Sequence, residues 1–303
     1  MEDKYVGIDI GGTGIKYALM TRSGQILEQG EVPTPHTNLD DYIQTLVGIY
    51  HQFENENPKA IVAAAPGRID AQTGYFYTGG ALQYILNVNL KELIEKKIPI
   101  PITFENDAKA AAQAELWKGS MQGVKNGIVM TLGTGIGGAI IVDGKLYRGS
   151  THAAGEFSVI PTEWNGSGPI NIWANTACTR ALTGRLAAKK GIDPANFSGR
   201  DFFAHHANGD TDAQECLDDF CTEALRGLYG LQAILDVDKV AIGGGISRQP
   251  ALIETFNRKN EELFNSLPPY FAASRPEICA CQFTNDANLI GALYHYLDLT
   301  GQL

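Results

Sequence analysis

Two similar runs of short apolar segments and glycine turns constrain the fold of this chain more than any other feature. The first, YVGIDIGGTGIKYALMTRSGQIL from residue 5, predicts a strand, a glycine turn, a strand, a hairpin turn and a third strand. The second, NGIVMTLGTGIGGAIIVDGKLYRGS from residue 126, has the same order. We interpret the pair as an internal duplication of one supersecondary unit. The chain of 303 residues is long enough for two domains of ordinary size.

The segments after each run predict helices and buried strands. Apolar residues at helical spacing over 37–54, after a Thr-Asn capping signal, predict a helix, and AIVAAA at 60–65 predicts a buried strand. Downstream, 212–236 predicts a long amphipathic helix, 239–245 a strand that runs into a glycine turn, and 286–299 a closing helix. The order of strands and helices therefore predicts an α/β protein.

The glycine turns are candidate phosphate sites, but not of the two common nucleotide-binding types. GTGIGG at 133–138 has the spacing of a dinucleotide-binding fingerprint, yet a strand follows it where that fold needs a helix. The chain also has no P-loop pattern. A glycine hairpin turn can still point its backbone N–H groups at a phosphate. Each of the turns 11–13 and 133–135, taken alone, is best interpreted as an ordinary tight turn. Their occurrence as a pair within a duplication favours phosphate binding.

Polar residues beside the first turn strengthen this interpretation. Asp9 precedes the turn and suits Mg²⁺ or its water shell, while Lys16 follows it and can neutralise phosphate charge. A third glycine cluster at 243–245 ends an apolar strand and would admit a purine close to the backbone, or is a plain strand-to-helix turn. The candidate ATP-binding residues are Asp9, Gly11, Gly12, Thr13, Lys16, Gly133, Thr134, Gly135, Gly243, Gly244 and Gly245.

Six segments together resemble the ROK family of bacterial sugar kinases. They are GIDIGGTGIKYAL, APGRIDAQTG, ENDAKAAAQAE, LGTGIGGAII, GEF and AIGGGIS, in the order found in that family and over nearly the whole chain. The resemblance implies two ribonuclease-H-like domains of the actin/hexokinase type with an interdomain cleft, ATP and Mg²⁺ as requirements, and a sugar as acceptor. We expect a small domain over 1–118 plus 288–303 and a larger one over 119–287.

The resemblance also implies the catalytic residue. Its pattern places the general base at Asp107, which also contacts the sugar, and a sugar hydroxyl ligand at Asn106. Both residues lie where ITFEN, a predicted strand, meets an Ala-rich predicted helix. Phosphoryl transfer to a sugar needs a carboxylate that accepts the hydroxyl proton. Considered alone, Asp107 fits equally well as a helix cap.

Four further residues are candidate sugar contacts. Gly67 in APGRID lets its backbone approach a sugar, with a plain turn as the alternative. Glu156 resembles the glutamate of the family that binds sugar hydroxyls, and its apolar neighbours disfavour a solvated loop position. His152 would line the pocket, although a lone loop histidine is more often only partly exposed. Tyr84 lies where the family often has an aromatic residue, which would pack against a sugar or its aglycone.

The chain departs from the family at the zinc motif. Val159 stands where many members have a histidine, and Cys178 is the one cysteine in the segment that follows. A structural zinc site needs four nitrogen or sulfur ligands, so we expect no zinc. Members without zinc include the β-glucoside kinase group, which favours a β-glucoside or glucose as acceptor. Kinases for N-acetylmannosamine or fructose are the next alternatives.

Charge and segment length bear on partners. A net charge of −10 argues against nucleic-acid binding, no apolar run is long enough to span a bilayer, and the N-terminus lacks a signal-peptide pattern. We expect a cytoplasmic protein, with a homodimer as the expectation from the family. Other classes are a ROK repressor, for which the segment before Val6 leaves no DNA-binding domain, a catalytically inactive sugar sensor, and an actin- or Hsp70-like ATPase.

Overall fold

The computed structural model describes residues 2–164, 166–270 and 273–303, which pack as two compact units. Unit 1 contains the chain up to Gly119 together with Arg148–Ala153 and Asn285–Leu303, and unit 2 contains Ser120–Tyr147 and Ala154–Thr284. The sequence-based boundaries place the segment 148–153 in the second domain, whereas it packs with unit 1. No local pattern marks that exchange, because it depends on side-chain contacts with distant residues.

Unit 1 is built on a five-stranded sheet in the order β3-β2-β1-β4-β8. β1 to β3 are antiparallel neighbours, while β4 and β8 run parallel to β1. The short strands β5, β6 and β7 form a separate antiparallel sheet. In chain order the elements are β1 (Lys4–Ile10), β2 (Gly14–Thr21), β3 (Ile26–Pro33), α1 (Leu39–Phe53), β4 (Ile61–Ala65), β5 (Ile69–Asp70), β6 (Tyr75–Thr78), β7 (Leu86–Asn89), α2 (Leu90–Glu95), β8 (Ile102–Asn106) and α3 (Asp107–Lys118).

The sheet of unit 1 is covered on both faces, which explains the continuous apolar runs of its central strands. In β4, Ile61 and Ala63 join the core on one face, and Val62 and Ala64 join the core on the other. α1 packs its apolar stripe into the first of these cores. It begins at the predicted cap, where the side chain of Asn38 accepts the backbone N–H of Asp41 at 2.9 Å.

Unit 2 is built on a second five-stranded sheet in the order β11-β10-β9-β14-β15. Its elements are β9 (Gly127–Leu132), β10 (Ile136–Val142), β11 (Lys145–Tyr147), β12 (Pro161–Glu163), β13 (Asn171–Ile172), α4 (Ala174–Ala177), α5 (Thr179–Lys190), α6 (Gly199–Ala207), α7 (Thr211–Leu235), β14 (Lys239–Gly243), α8 (Pro250–Ser266) and β15 (Glu277–Ala280). β12 and β13 pair as a small hairpin apart from the main sheet. Apolar side chains of α5 to α8 form one core with the strands β9, β10 and β14.

The two main sheets have the same order and the same strand directions. β9, β10 and β11 are antiparallel neighbours, and β14 and β15 run parallel to β9, as β4 and β8 run parallel to β1. The predicted duplication and the α/β fold class are therefore confirmed. The last helix, α9 (Ala287–Leu299), returns to unit 1 and packs against α3 and β4.

Candidate active site

The junction of β8 and α3 holds the predicted base. Asn106, not Asp107, caps the helix, because its Oδ1 accepts the backbone N–H of Lys109 at 3.1 Å. Asp107 is the first helical residue, and its Oδ1 accepts the N–H of Ala108 at 2.8 Å and Nδ2 of Asn106 at 3.0 Å. A carboxylate at this helix end is stabilised by the helix dipole. Asn106 is therefore the cap, and Asp107 supports the same helix end through its contact with Ala108.

Gly67 lies against this junction. Its carbonyl oxygen accepts the second amide hydrogen of Asn106, with Nδ2 at 3.1 Å. Gly67 has φ +105°, and a Cβ there would lie 2.1 Å from the carbonyl oxygen of Thr78. The structure thus brings together three of the predicted sugar-site residues. The amide hydrogens of Asn106 are both used within the protein, so its direct contact with a sugar stays a prediction.

His152 is half-buried beside an aromatic residue that sequence reasoning missed. Its ring stacks on that of Tyr77, with 6.0 Å between the centroids, and the guanidinium carbon of Arg68 lies 4.5 Å from the Tyr77 centroid. The carbonyl oxygen of His152 accepts Nζ of Lys109 at 2.8 Å. His152 Nδ1 is buried without a hydrogen-bond partner in the part of the chain that the structure describes. The sequence signal that could have pointed to the cluster of Arg68, Tyr77 and His152 is that Arg68 directly follows Gly67, a predicted sugar contact.

Tyr84 has contacts of a structural kind. Its hydroxyl donates to the carbonyl oxygen of Pro35 at 2.5 Å, and its ring meets that of Tyr42 edge to face at 6.0 Å between centroids. It packs at the margin of the core that α1 covers. A sugar contact for Tyr84 stays a prediction.

Asp9 and Lys16 are directly opposed on β1 and β2. Burial raises the pKa of the Asp9 carboxyl, while a hydrogen bond from Asn288 Nδ2 at 2.8 Å and the charge of Lys16 act in the opposite direction. A carboxylate in this position gains from a nearby cation, which fits Mg²⁺. Asn288 lies on α9, far from Asp9 in sequence, and no sequence pattern connects the two.

The glycine turn of unit 1 closes on itself. The N–H of Gly11 donates to the carbonyl oxygen of Gly14 at 2.9 Å, and the hydroxyl of Thr34 donates to the carbonyl oxygen of Gly11 at 2.7 Å. Gly12 and Thr13 are exposed at the tip. The tip of the turn therefore exposes the backbone of Gly12 and the backbone and side chain of Thr13.

Unit 2 contains a pocket of about 340 Å³ that joins its two glycine clusters. The turn 133–135 is closed by a 3.0 Å hydrogen bond from the N–H of Gly133 to the oxygen of Gly135, and the N–H of Thr179 donates to Gly133 at 3.0 Å. Gly244, with φ +92°, lies so close to the carbonyl oxygen of Leu132 that a Cβ would be 2.2 Å from it. The lining residues are Leu132, Gly133, Thr134, Thr179, Arg180, Thr183, Pro194, Phe197, Ser198, Gly199 and Gly245.

Sequence reasoning found the glycines of this pocket but missed its side-chain wall. Thr179, Arg180 and Thr183 come from the first turns of α5, and Phe197 precedes α6. The helical pattern of these segments gave no reason to place them beside the glycines. A pocket of this volume lies in the range of small-molecule sites.

Glu156 is exposed in unit 2, contrary to the expectation drawn from its apolar neighbours. Phe157, the next residue, turns inward onto Gly138 and is 2% exposed, so adjacent side chains of this short turn point to opposite environments. A sugar contact for Glu156 stays a prediction.

The described residues form neither a cluster of metal ligands nor a membrane-spanning helix. Over 2–164, 166–270 and 273–303, no three His, Cys, Asp or Glu side chains lie together as metal ligands would. Cys178 is buried and Val159 is exposed. Within the same ranges, every helix is too short or too polar to span a bilayer.

Comparisons with known proteins match nearly the whole chain to one family. The sequence model of the ROK family matches residues 5–298. The β-glucoside kinase of Klebsiella pneumoniae is 32% identical over 98% of this chain and 97% of its own length. A ROK family protein from Streptococcus pneumoniae, solved in complex with sucrose, is 30% identical with a TM-score of 0.87, covering 99% of this chain and 100% of that one.

A third comparison includes a nucleotide analogue. The ROK family glucokinase of Streptomyces griseus, solved in complex with glucose and AMPPNP, is 25% identical with a TM-score of 0.79. The alignment covers 96% of this chain and 98% of that one.

Proposed function

Because this chain belongs to the ROK family, we propose that it is an ATP-dependent sugar kinase that phosphorylates a hydroxyl group of a hexose or a β-glucoside. The observation that carries the proposal is the Asp107 carboxylate at the end of β8, oriented by the Asn106 amide, which in turn bonds Gly67. A positioned carboxylate that accepts the hydroxyl proton is what phosphoryl transfer to a sugar requires.

Asp107 acts as the general base. It accepts the proton of the sugar hydroxyl as that oxygen attacks the γ-phosphorus of ATP, and the bond from phosphorus to the β,γ-bridging oxygen breaks to release ADP. Nδ2 of Asn106 donates a hydrogen bond to Oδ1 of Asp107 at 3.0 Å and so holds the carboxylate in place. The base therefore does not have to be ordered at the moment of reaction. Gly67, His152 and Glu156 are the proposed contacts to the other hydroxyls of the sugar.

The pocket of unit 2 is the proposed nucleoside site. Its mixture of glycine backbone, threonine hydroxyls and one aromatic ring suits a flat base with a polar ribose, and Arg180 adds a positive charge. The proposed phosphate ligands are the backbone N–H groups of Thr134 and Gly135 and, in unit 1, those of Gly12 and Thr13 with Lys16, since the N–H groups of Gly133 and Gly11 close their own turns. The AMPPNP complex of the Streptomyces griseus glucokinase supports ATP as donor.

Asp9 is the proposed Mg²⁺ ligand, directly or through water. Mg²⁺ at the phosphates would neutralise charge that develops during transfer. Burial raises the pKa of Asp9, and Lys16 and Asn288 favour its ionised form, so a neighbouring divalent cation would complete its charge balance.

A β-glucoside is the favoured acceptor, ahead of glucose. The curated relative that carries this name is 32% identical and aligns along almost the entire chain, and a 30% identical relative binds the disaccharide sucrose. Acceptors larger than one hexose ring are therefore compatible with this fold.

ADP release by the purified protein, with ATP and Mg²⁺, tests the proposal across glucose, cellobiose, gentiobiose, fructose, N-acetylglucosamine and N-acetylmannosamine. We expect turnover that depends on the sugar and is highest with cellobiose or gentiobiose. Highest turnover with fructose or N-acetylmannosamine would correct the acceptor class. Sugar binding by calorimetry without turnover would replace the kinase by an inactive sensor, and ATP hydrolysis that needs no sugar would indicate an ATPase.

A further inference from the structure

A fully buried carboxylate lies two residues before the proposed base. Glu105, the residue before Asn106 on β8, is 0% exposed. Its Oε2 forms an ion pair with Nη2 of Arg148 at 2.6 Å, and Nδ1 of His295 lies 3.7 Å from the same oxygen. Arg148 belongs to the short segment that returns to unit 1, and His295 lies on α9. Residues from three distant parts of the sequence, at positions 105, 148 and 295, therefore meet in the interior of unit 1.

Such a cluster is costly unless its charges are paired. Burial alone would raise the pKa of Glu105, but the charge of Arg148 and the hydrogen bond from the backbone N–H of Asn106 hold that pKa below its ordinary value. Glu105 is therefore ionised at neutral pH. Because the desolvation of a buried charge is unfavourable, the retention of this carboxylate in the interior suggests that it has a function.

His295 completes the cluster as a neutral group. Its Nε2 lies 3.1 Å from the carbonyl oxygen of Ala71, so Nε2 carries the hydrogen and donates it. Nδ1 then faces Nη2 of Arg148 at 3.5 Å as an acceptor. Burial lowers the pKa of His295, which agrees with the neutral ring. His295 thus orients Arg148 toward Glu105 without adding a charge.

The cluster continues directly to the proposed base. Oε1 of Glu105 accepts the backbone N–H of Asn106 at 2.9 Å, and the side chain of Asn106 both caps α3 and holds the carboxylate of Asp107. Each link is a polar contact of fixed geometry. A shift of Glu105 would therefore move Asn106 and, with it, Asp107.

A second anchor holds the segment that carries Arg148. Nζ of the buried Lys109, on the first turn of α3, donates to the carbonyl oxygen of His152. The segment 148–153 is thus tied to the β8–α3 junction near both of its ends, by Arg148 and by His152.

We propose that Glu105, Arg148 and His295 form a buried positioning cluster that fixes Asn106 and Asp107 for phosphoryl transfer. The proposal rests on the proposed function, since the reaction is the one that Asp107 is taken to serve. None of the three touches the reacting atoms. Their contribution is the orientation of the base, for which a displacement of about 1 Å costs on the order of 10²-fold in rate.

Substitutions that differ in their polar atoms test the cluster. His295→Gln keeps one donor and one acceptor, whereas His295→Phe has neither and leaves Arg148 and Ala71 without these contacts. Glu105→Gln and Arg148→Met break the ion pair, whereas Arg148→Lys keeps the positive charge that Arg148→Met removes. Leu293→Ala is the matched control, because Leu293 is buried on the same helix within an apolar core.

The readouts are kcat, the KM values for ATP and sugar, the thermal midpoint, and the stoichiometry of sugar binding by calorimetry. We expect kcat to fall roughly 10- to 100-fold in His295→Phe, Glu105→Gln and Arg148→Met. We expect the KM for ATP to be unchanged and binding to stay at one sugar per chain. His295→Gln and Arg148→Lys should recover much of the rate, and Leu293→Ala should lower the midpoint without changing kcat.

Two results would overturn the positioning role. The first is an undiminished kcat in His295→Phe and Glu105→Gln. The second is a loss of kcat that is fully matched by a loss of sugar-binding stoichiometry, since the loss of activity would then reflect unfolded protein. If Arg148→Met does not fold, the two His295 variants still decide. Absence of sugar-dependent turnover in the unsubstituted protein would overturn the proposed function and this cluster's role together.

Discussion

The first hairpins of the two units have the same backbone plan but carry different chemistry. In unit 1, Asp9 and Lys16 are opposed next to the glycine turn. In unit 2, the equivalent register pair is Thr131 and Gly137. Both turns are closed by a backbone hydrogen bond, of 2.9 Å in unit 1 and 3.0 Å in unit 2. The charged residues are thus found on one copy only.

The difference extends to the strands that follow. Gly67 lies two residues after the end of β4 and Gly244 directly after the end of β14. Both have positive φ, and both lie so close to backbone atoms that a side chain is excluded. The end of β8 then provides the Asn106 amide and the Asp107 carboxylate, whereas unit 2 opens a pocket walled by neutral groups and Arg180. The two units thus share equivalent turns, and under the proposed function unit 1 would carry out proton transfer and unit 2 would bind the nucleoside.

Removal of the base should have the largest effect on this comparison. Asp107→Asn keeps the shape of the side chain but cannot accept the hydroxyl proton, so kcat should fall by roughly 10²- to 10⁴-fold with little change in the KM for ATP. Steady-state ADP release measures this. Asp143→Asn is the control, because Asp143 lies in the β10–β11 turn of unit 2 with φ +51°, which asparagine also adopts. Comparable kcat in the two variants would remove Asp107 from its role.

Asp9→Asn should separate stability from function. The folded state holds the proton of Asp9 more tightly than the unfolded state, because burial raises its pKa above the ordinary 3.8. As pH rises above 3.8, ionisation of Asp9 therefore lowers the free energy of unfolding. Below pH 3.8 the carboxyl is protonated in both states, and this destabilisation is absent. We expect the variant to unfold at a higher temperature at pH 7, to match the unsubstituted protein below pH 3.8, and to need more Mg²⁺ and ATP for half-maximal rate.

Thr131→Val at the equivalent position of unit 2 is the control for Asp9→Asn. It removes a polar atom without removing a titrating group, so its effect on the thermal midpoint should be the same at both pH values. An Asp9→Asn midpoint that is lower than that of the unsubstituted protein at pH 7 would contradict the account of the buried carboxylate.

The smallest effects should come from two glycines of α7, where only stability is at stake. A Cβ at Gly227 would lie 2.4 Å from ring atoms of the buried Trp173, whereas a Cβ at Gly230 would meet nothing within 4 Å beyond its own stretch of helix, among the residues that the structure describes. Gly227→Ala should therefore cost about 1–3 kcal/mol of unfolding free energy by overpacking. Gly230→Ala should add about 0.5–1 kcal/mol by helix propensity. Denaturant unfolding measures both, and kcat should not change in either; equal stability of the two variants would contradict the packing.

Local signals predicted the strands and turns, because a hairpin is specified by adjacent residues. The segment YVGIDIGGTGIKYALM predicted β1, the turn and β2, and the helix cap at Asn38 lies in the predicted Thr-Asn signal. At the β8–α3 junction the sequence left the role of Asp107 open between helix cap and general base, and it did not identify Asn106 as the cap. The structure assigns it to Asn106.

Contacts between distant residues could not be predicted in this way. Asn288 reaches Asp9 from the last helix, and Arg148 reaches Glu105 from a segment that the sequence-based boundary gave to the other domain. Each contact depends on how strands and helices pack, and no periodicity records it. Glu156 shows the same limit, because its exposure is set by the direction of one short turn.

Calorimetric binding of AMPPNP and of cellobiose to Gly67→Ala and Gly244→Ala tests the division between the units most directly. A Cβ would strike backbone within 2.2 Å at both positions, so each variant should deform its own turn. The account predicts that Gly67→Ala loses roughly 10-fold or more in sugar affinity and keeps nucleotide affinity, and that Gly244→Ala does the reverse. Equal loss of both ligands in both folded variants, or a loss in the opposite order, would contradict it.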